Sequence, residues 1–336
     1  MSGATTAQPL LVVDDVDVTF QGRGKTSLKA VDAISLQVNA GETFGIIGES
    51  GSGKTTLGRA IVCLTLPSRG AIRYESEDLF SLSPAALRAR RRKFQIIFQD
   101  PNAALDPRMT ILQSVREPLD LHGEGSRQQR DAKALRMLDR VSVSARLADR
   151  YPHELSGGQK QRANIARALV LEPRLIVCDE VVAALDMSIQ ADVLNLFLAL
   201  QREMNLTYVF ISHDLRVVSH VSDRVGVMYF GKLVETGPTH LLMDRPLHPY
   251  TQALMSAEPE ARLPGHSTRR RIILTGEIPS LANPPTGCRF HTRCPAAADE
   301  CIRSMPPLRD FGGGHLVACH FAGPLSAESV REEHTT

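Results

Sequence analysis

The 336-residue sequence contains no apolar run approaching the ~18–20 residues that a helix needs to cross a bilayer. Its beginning lacks the basic segment, apolar stretch and cleavage site of a secretory signal. The net charge is only +2, so composition does not favour nucleic acid or an anionic membrane as the main partner. We therefore expect a cytoplasmic chain that associates with a membrane only through partner proteins. In that reducing compartment, its six cysteines are not expected to form structural disulfides.

The patterning changes along the chain. Short apolar runs alternate with helical stretches up to Arg245, which predicts an α/β fold with a parallel sheet covered by helices. The runs predicted to be buried strands are Thr43–Ile47, Phe94–Phe98, Leu175–Cys178 and Tyr208–Ile211. Residues 110–150 show no strand-like run and are predicted to form a helical insertion. After Arg245, a composition rich in proline, glycine and cysteine predicts a loop-dominated C-terminal region.

A glycine-rich loop follows the first predicted strand. Its residues are Gly48, Glu49, Ser50, Gly51, Ser52, Gly53, Lys54 and Thr55, and a helical stretch follows from Thr56, which we include among the phosphate-binding residues. The pattern G-x-x-x-x-G-K-[ST] between a strand and a helix is typical of loops whose backbone N–H groups bind phosphate. Lys54 would contact the β- and γ-phosphates, and Thr55 would bind Mg²⁺. The alternative is a glycine- and serine-rich turn that binds nothing.

Two acidic residues, Asp179 and Glu180, end another predicted strand. An aspartate at the carboxyl end of a strand is where a P-loop NTPase holds Mg²⁺. The adjacent Glu180 is suited to orient or deprotonate the attacking water. Two acids at a strand end are most often only solvated, but together with the upstream loop they predict nucleotide hydrolysis.

A second glycine-bearing segment precedes a helix predicted to run to about Leu171. Its residues are Ser156, Gly157, Gly158 and Gln159. Serine followed three residues later by glutamine is a capping-box pattern, and exposed N–H groups at a helix N-terminus suit an anion. An ordinary capped helix without a ligand is the alternative. The run LSGGQKQR resembles the signature of ABC-transporter nucleotide-binding subunits almost letter for letter.

The resemblance implies roles for further residues. The signature would contact the γ-phosphate of an ATP held by another subunit, so that two ATPs are sandwiched in a head-to-tail dimer. Gln99 matches the glutamine that senses Mg²⁺ and faces the membrane subunits, and His213 matches the switch histidine near the γ-phosphate. The run Ala184–Asp186 matches the D-loop, and Phe20 is the candidate for stacking on adenine.

The resemblance also implies an architecture and partners. The expected ATP-binding domain covers residues 8–245 and has a RecA-like core, an antiparallel β subdomain and a helical subdomain at about residues 100–172. ATP and Mg²⁺ are the implied cofactors. The implied partners are two membrane-spanning permeases, a sister ATPase in a heterodimer and, indirectly, a solute-binding protein. The implied location is the cytoplasmic face of the inner membrane.

One segment departs from the family pattern. Val181, Val182 and Ala183 stand where relatives usually carry Pro-Thr-Ser or Pro-Val-Ser. Loss of the proline frees a φ angle and restores a backbone donor. We expect looser communication between the two ATP sites, but an active site, because Asp179 and Glu180 are in place.

The predicted C-terminal region, residues 246–336, carries a second resemblance. The run HPYTQALMSA and the later PPTGC resemble the C-terminal region of oligopeptide and dipeptide importer ATPases, which some nickel and other small-solute importers share. The resemblance implies an ATPase that energises peptide import, with a nickel chelate, glutathione or an opine-like solute as alternatives. A soluble ABC ATPase of translation or repair is disfavoured, because the chain has one set of motifs and no coiled-coil or zinc insertion.

Clustered cysteines mark this region. They are Cys288, Cys294, Cys301 and Cys319. Clustered thiols in a reducing compartment favour zinc or an iron–sulfur cluster, but the spacing is wider than the paired cysteines of structural zinc sites. The resemblance implies a 4Fe–4S cluster here. Zinc is the first alternative, with His291, His315 or His320 as substitute ligands, and four unligated cysteines are the second.

Overall fold

The computed structural model describes residues 8–22, 27–257, 272–274, 276, 279–280 and 283–324. The described strands are β1 (Leu11–Gln21), β2 (Ser27–Val38), β3 (Thr43–Ile47), β4 (Arg69–Tyr74), β5 (Glu77–Asp78), β6 (Phe94–Ile97), β7 (Leu175–Asp179), β8 (Thr207–Ile211), β9 (Arg224–Tyr229), β10 (Lys232–Pro238), β11 (Arg309–Asp310) and β12 (Leu316–Val317). The described α-helices are α1 (Lys54–Ile61), α2 (Pro84–Arg90), α3 (Pro101–Ala104), α4 (Ile111–His122), α5 (Arg127–Arg140), α6 (Gly157–Leu169), α7 (Met187–Met204), α8 (Leu215–Val221), α9 (Thr239–Asp244), α10 (Pro249–Ala257) and α11 (Asp299–Arg303).

The main sheet has eight strands in the order β11-β12-β10-β9-β3-β8-β7-β6. Strands β6, β7, β8, β3 and β9 run parallel. All residues of β3, β7 and β8 are buried, because helices cover both faces of a parallel sheet and leave continuous apolar runs instead of an alternation. The carboxyl ends of these strands lie at one edge, where Ile97 pairs with Cys178 and Asp179 pairs with Ile211.

The C-terminal region contributes two strands to this sheet. The sheet is mixed, and not purely parallel as the alternation predicts, already because β10 pairs antiparallel with β9. Strand β12 pairs antiparallel with β10, with Glu235 opposite Val317, and β11 pairs with β12. Pairing with β12 satisfies backbone groups that β10 would otherwise expose at the sheet edge. Each added strand has only two residues, too few for an alternating pattern to predict it. Within the described residues, the region contains these two strands, the helices α10 and α11 and a short 3₁₀ turn, and loops make up the rest. Residues 258–271, 275, 277–278, 281–282 and 325–336 of the region lie outside the described residues.

A second, four-stranded antiparallel sheet has the order β2-β1-β4-β5. Its buried face shares one apolar core with α1 and the main sheet. Within that core, Leu57 and Ile61 of α1 are fully buried against residues of both sheets. Helix α1, which follows the glycine-rich loop, is thereby clamped between two sheets.

Residues 101–169 contain helices and the loops between them, and no strand. Helices α4, α5 and α6 pack on one another, and each begins with a capping box, at Thr110, Ser126 and Ser156 respectively. Among the described helices, α7 is the longest, at 18 residues, and it buries Val193, among others. Of the helices that the structure describes, none is both long and apolar enough to span a membrane.

Candidate nucleotide site

The backbone of the glycine-rich loop passes close to the backbones of β9 and β2. Gly48 has φ 152° and Gly53 has φ 102°, conformations that side-chain-bearing residues rarely adopt. A Cβ on Gly48 would overlap the carbonyl oxygen of Met228, and one on Gly53 would overlap that of Ala30. Only glycine fits at these two positions, so the tight loop shape depends on them.

Lys54 lies inside the loop. Its Nζ donates to the carbonyl oxygens of Gly48 at 2.7 Å and Glu49 at 2.9 Å, and to Ser52 Oγ at 3.4 Å. The residue is only 4% exposed. Burial lowers the pKa of its ammonium, while the carboxylates of Glu180, Asp179 and Glu49 raise it. Phosphate oxygens are charged acceptors and would bind this ammonium more strongly than the carbonyls do.

Thr55 and Asp179 form a site suited to a hard cation. Thr55 Oγ1 donates to Asp179 Oδ1 at 2.9 Å, across 124 positions of sequence. Burial raises the pKa of the Asp179 carboxyl, and Glu180 adds to this, while the hydrogen bond from Thr55 opposes it. A divalent cation would offset that cost, and a hydroxyl with a carboxylate is the donor set that Mg²⁺ prefers. These two residues fit the Mg²⁺ that the sequence implies.

Glu180 follows Asp179 with an unusual backbone. Its φ is 51°, and its N–H donates to the carbonyl oxygen of Ile211 at 3.0 Å. Glu180 Oε2 lies 3.4 Å from Nδ1 of His213, whose side chain is 58% exposed. The loops after β7 and β8 therefore bring the predicted base and the predicted switch histidine together beside Lys54 and Asp179.

Gln99 and Phe20 lie at the margins of the site. Gln99 is exposed two residues beyond β6, the strand next to β7 at the same sheet edge. Phe20 is 45% exposed and pairs in register with Leu28, two residues before the Ala30 that Gly53 contacts. Phe20 is therefore an exposed aromatic ring near the loop.

The signature segment forms a separate surface. Ser156 Oγ accepts from the Gln159 N–H at 3.3 Å, and Gln159 Oε1 accepts from the Ser156 N–H at 3.0 Å. Gly157 is exposed with nothing near its Cβ position, whereas a Cβ on Gly158 would lie 2.9 Å from Ile189. Helix α6 packs on α3, α4, α5, β6 and α7, whereas α1 packs on β1, β2, β7 and β8. The two glycine-bearing N-termini thus belong to different layers of the chain.

Known proteins share this organisation. A family model described as ABC transporter matches residues 31–183, and one described as oligopeptide/dipeptide transporter, C-terminal region, matches residues 234–301. The oligopeptide transport ATP-binding protein AppF of Bacillus subtilis (strain 168) is 52% identical over 87% of this chain and 89% of its own length. The chain belongs to the ABC transporter family.

Two further similarities extend along the chain. The dipeptide transport ATP-binding protein DppF of Escherichia coli (strain K12) is 45% identical over 94% of this chain and 95% of its own length. The solved dimeric ABC transporter cassette MJ0796 is 31% identical, with a TM-score of 0.63, over 68% of this chain and 98% of its own. The protein is an ATP-hydrolysing ABC transporter subunit with the P-loop NTPase fold of that family.

In this ABC subunit, the unusual segment after the predicted base is anchored to the signature helix. Gln161 is fully buried, and its Nε2 donates to the carbonyl oxygen of Val181 at 2.8 Å. Val181 and Val182 are each 2% exposed, and the Ala183 N–H donates to the Glu180 carbonyl oxygen at 3.1 Å. Sequence reasoning missed Gln161, although it lies in the LSGGQKQR run, because its partner is 20 positions away.

The cysteines of the C-terminal region share one small cavity. It is lined by Cys288, Cys294, Cys301 and Cys319, together with His291, His320 and neighbouring apolar residues. All four cysteines are free. Burial raises the pKa of the Cys294 thiol to about 12 and that of Cys319 to about 11, so both are neutral at physiological pH.

Within the described ranges, no group of three or more histidine, cysteine, aspartate or glutamate side chains is arranged to hold a metal ion. His315, one of the alternative zinc ligands, instead places Nε2 2.7 Å from Glu235 Oε1, and both residues are buried. The iron–sulfur cluster and its zinc alternative therefore stay predictions.

Proposed function

We propose that this ABC ATPase energises an importer of di- and oligopeptides across a bacterial inner membrane. One observation carries the proposal. The glycine-rich loop, the Thr55–Asp179 pair suited to Mg²⁺ and the carboxylate of Glu180 lie together at one sheet edge, in a chain whose C-terminal region matches the peptide-transporter family. Relatives along almost the whole length are named oligopeptide and dipeptide transport ATP-binding proteins.

The geometry supports a division of labour among the site residues. Lys54 and the loop amides would bind the ATP phosphates, and Thr55 and Asp179 would hold Mg²⁺, which would supply positive charge against the phosphates. Glu180 accepts a proton from the attacking water, and His213 lies beside it to contact the γ-phosphate. Phe20 provides a ring for the adenine.

The second half of each site comes from a partner ATPase. The signature residues Ser156–Gln159 lie in a different layer from the glycine-rich loop, which supports a role for them at the ATP of another chain. We take that chain to be a diverged sister. ATP binding then favours the closed dimer, and hydrolysis reopens it.

The closure is transmitted to the membrane through Gln99, exposed at the edge of the site. Two permeases receive it, and a solute-binding protein delivers the peptide to them. The chain would be peripheral, on the cytoplasmic face of the membrane. Nucleic acid is not among the proposed partners, in keeping with the net charge of +2.

We further propose that the four cysteines hold a 4Fe–4S cluster. The support is that all four thiols line the same cavity and that thiolates are the ligands of such clusters. Cationic iron would favour the thiolate form over the neutral thiols that burial maintains. Iron and sulfide analysis of anaerobically purified protein is expected to find both; stoichiometric zinc alone, or no metal, would reject the cluster.

Peptide uptake tests the main proposal. Cells that lack this chain should lose uptake of labelled di- and oligopeptides, regain it with the wild-type chain and not with Glu180→Gln. Normal peptide uptake together with lost uptake of a nickel chelate, glutathione or an opine-like solute would favour those alternatives. Purified complexes without membrane subunits would favour a soluble ABC ATPase.

A further inference from the structure

The C-terminal region contacts the phosphate-binding loop directly, at Glu49. Arg293 Nη1 lies 2.8 Å from Glu49 Oε2, and Nη2 lies 3.2 Å from Oε1, which makes the ion pair bidentate. The Arg293 side chain is 8% exposed and that of Glu49 is 27% exposed. The pair is therefore largely shielded from water, and the hydrogen bonds to Glu49 raise the pKa of the guanidinium above its ordinary value.

A second contact holds the backbone of the same residue. The N–H of Glu49 donates to the hydroxyl oxygen of Tyr250 at 2.8 Å. Tyr250 is fully buried, and burial raises the pKa of its phenol, which stays neutral. Glu49 is thus restrained at its side chain by Arg293 and at its amide by Tyr250.

Glu49 in turn orders the loop around Lys54. Its carbonyl oxygen accepts from Lys54 Nζ at 2.9 Å and from the N–H of Ser52 at 3.2 Å. The neighbouring carbonyl of Gly48 accepts from the same ammonium at 2.7 Å. A shift of Glu49 would therefore displace the carbonyl oxygens that orient the Lys54 ammonium.

The two contacts come from a part of the C-terminal region that packs against β9. The rings of Tyr229, Tyr250 and Phe290 meet with centroids 4.6 to 5.4 Å apart. Tyr229 ends β9, and Phe290 directly precedes the short 3₁₀ turn His291–Arg293. The aromatic cluster therefore fixes where Arg293 emerges, relative to the sheet that carries the loop.

We propose that Arg293 and Tyr250 are positioning residues of the ATP site, so that ATP affinity depends on the docked C-terminal region. The inference rests on the proposed assignment of the ATP site to the glycine-rich loop. Without the ion pair, the free loop samples more conformations, and ATP must select the competent one, which weakens binding. Once ATP is bound, the phosphates order the loop. The position of Glu180 does not depend on Arg293, so kcat is preserved.

The test measures ATP binding and hydrolysis by the full-length chain. Arg293→Met keeps the aliphatic stem and removes the guanidinium. We expect the Kd and KM for ATP to rise about tenfold, with kcat within about twofold of wild type. Arg303→Met is the matched control, because Arg303 is a 77% exposed arginine of the same region that pairs with Asp299. It should leave both constants unchanged.

A double-mutant cycle identifies the route through Glu49. If Arg293 acts through Glu49, then Arg293→Met combined with Glu49→Ala is no weaker in ATP binding than Glu49→Ala alone. Additive losses would overturn the inference, as would an unchanged Kd in Arg293→Met. Tyr250→Phe, which removes only the acceptor of the Glu49 N–H, should raise the Kd in the same direction.

Two further outcomes are distinguished: Arg293→Met does not fold, or the wild-type protein does not bind ATP. If Arg293→Met does not fold, Arg293→Lys carries the test: it retains the charge without the bidentate fork, and we expect an ATP affinity between wild type and Glu49→Ala. An Arg293→Lys affinity equal to wild type would then reject the inference. Wild-type protein that binds no ATP would instead reject the proposed ATP site, so the two failures are distinguishable.

Discussion

Replacing Glu180 by glutamine removes one negative charge and one basic oxygen while retaining the length of the side chain. The backbone at this position has φ 51° and is held by the hydrogen bond from its N–H to the Ile211 carbonyl oxygen. The substitution leaves that bond intact, so we expect the variant to fold. What it loses is the carboxylate, whose Oε2 lies 3.4 Å from His213.

The expected magnitude differs between hydrolysis and binding. Loss of a positioned general base costs about 10²–10⁴-fold in rate, which corresponds to about 3–5 kcal/mol of activation free energy. The affinity for ATP should instead rise, because the Glu180 carboxylate carries the same sign of charge as ATP. The carboxylate lies near the phosphate-binding residues, since it is close enough to Lys54 to raise the pKa of that ammonium. The Glu180 side chain is 19% exposed, so the remaining contact with solvent reduces this repulsion only in part, and we expect ATP to bind about threefold more tightly.

Phosphate release under single-turnover conditions and calorimetric ATP titration would measure the two effects on the same preparation. Glu203→Gln is the control, because Glu203 is a 51% exposed carboxylate on α7, paired with Arg140, that gives the same change in charge. It should retain wild-type hydrolysis. Hydrolysis by Glu180→Gln within about tenfold of wild type would refute the role of Glu180 as the base.

Three further outcomes are expected. Gln161→Leu leaves the buried Val181 carbonyl without its donor and should lower the free energy of unfolding by about 1–3 kcal/mol in urea titrations; an unchanged midpoint would contradict this. Gly53→Ala should abolish ATP binding measured by calorimetry while far-UV circular dichroism is retained, because the Cβ would overlap the Ala30 carbonyl oxygen. Burial lowers the pKa of His248 from 6.5 to about 4, so the unfolded chain takes up a proton first as pH falls. Stability contributed by neutral His248 is complete above pH 6.5 and is lost towards pH 4, with a slope of up to about 1.36 kcal/mol per pH unit; His248→Asn should flatten that slope.

The nucleotide site is the part that the sequence predicts best, because its signals are local. Strand β3, the glycine-rich loop and the helix that begins at Lys54 are consecutive, and each is recognisable from its own local residue pattern. The same holds for the capping box of Ser156 and Gln159, which closes within four residues. The convergence of Thr55 on Asp179 follows from a general rule, since parallel strands present their carboxyl ends at one edge.

The C-terminal region is predicted less well, because its structure is made by distant partners. Strand β12 has two residues and exists by pairing with β10, about 80 positions earlier. His315 is plausible as a zinc ligand by proximity in sequence, yet Glu235 binds it. Short elements and buried polar pairs carry little local pattern, so composition alone indicates loops.

By itself, the sequence determined the family, the order of the motifs and the residue types of the candidate nucleotide site, because glycine conformations, caps and strand periods are properties of neighbouring residues. Only the tertiary structure decided what holds those residues in place. The contact of Arg293 with Glu49 spans 244 positions, and that of Gln161 with Val181 joins two layers. Such contacts depend on the packing of whole elements, above all the aromatic cluster that docks the C-terminal region, and no local pattern encodes them.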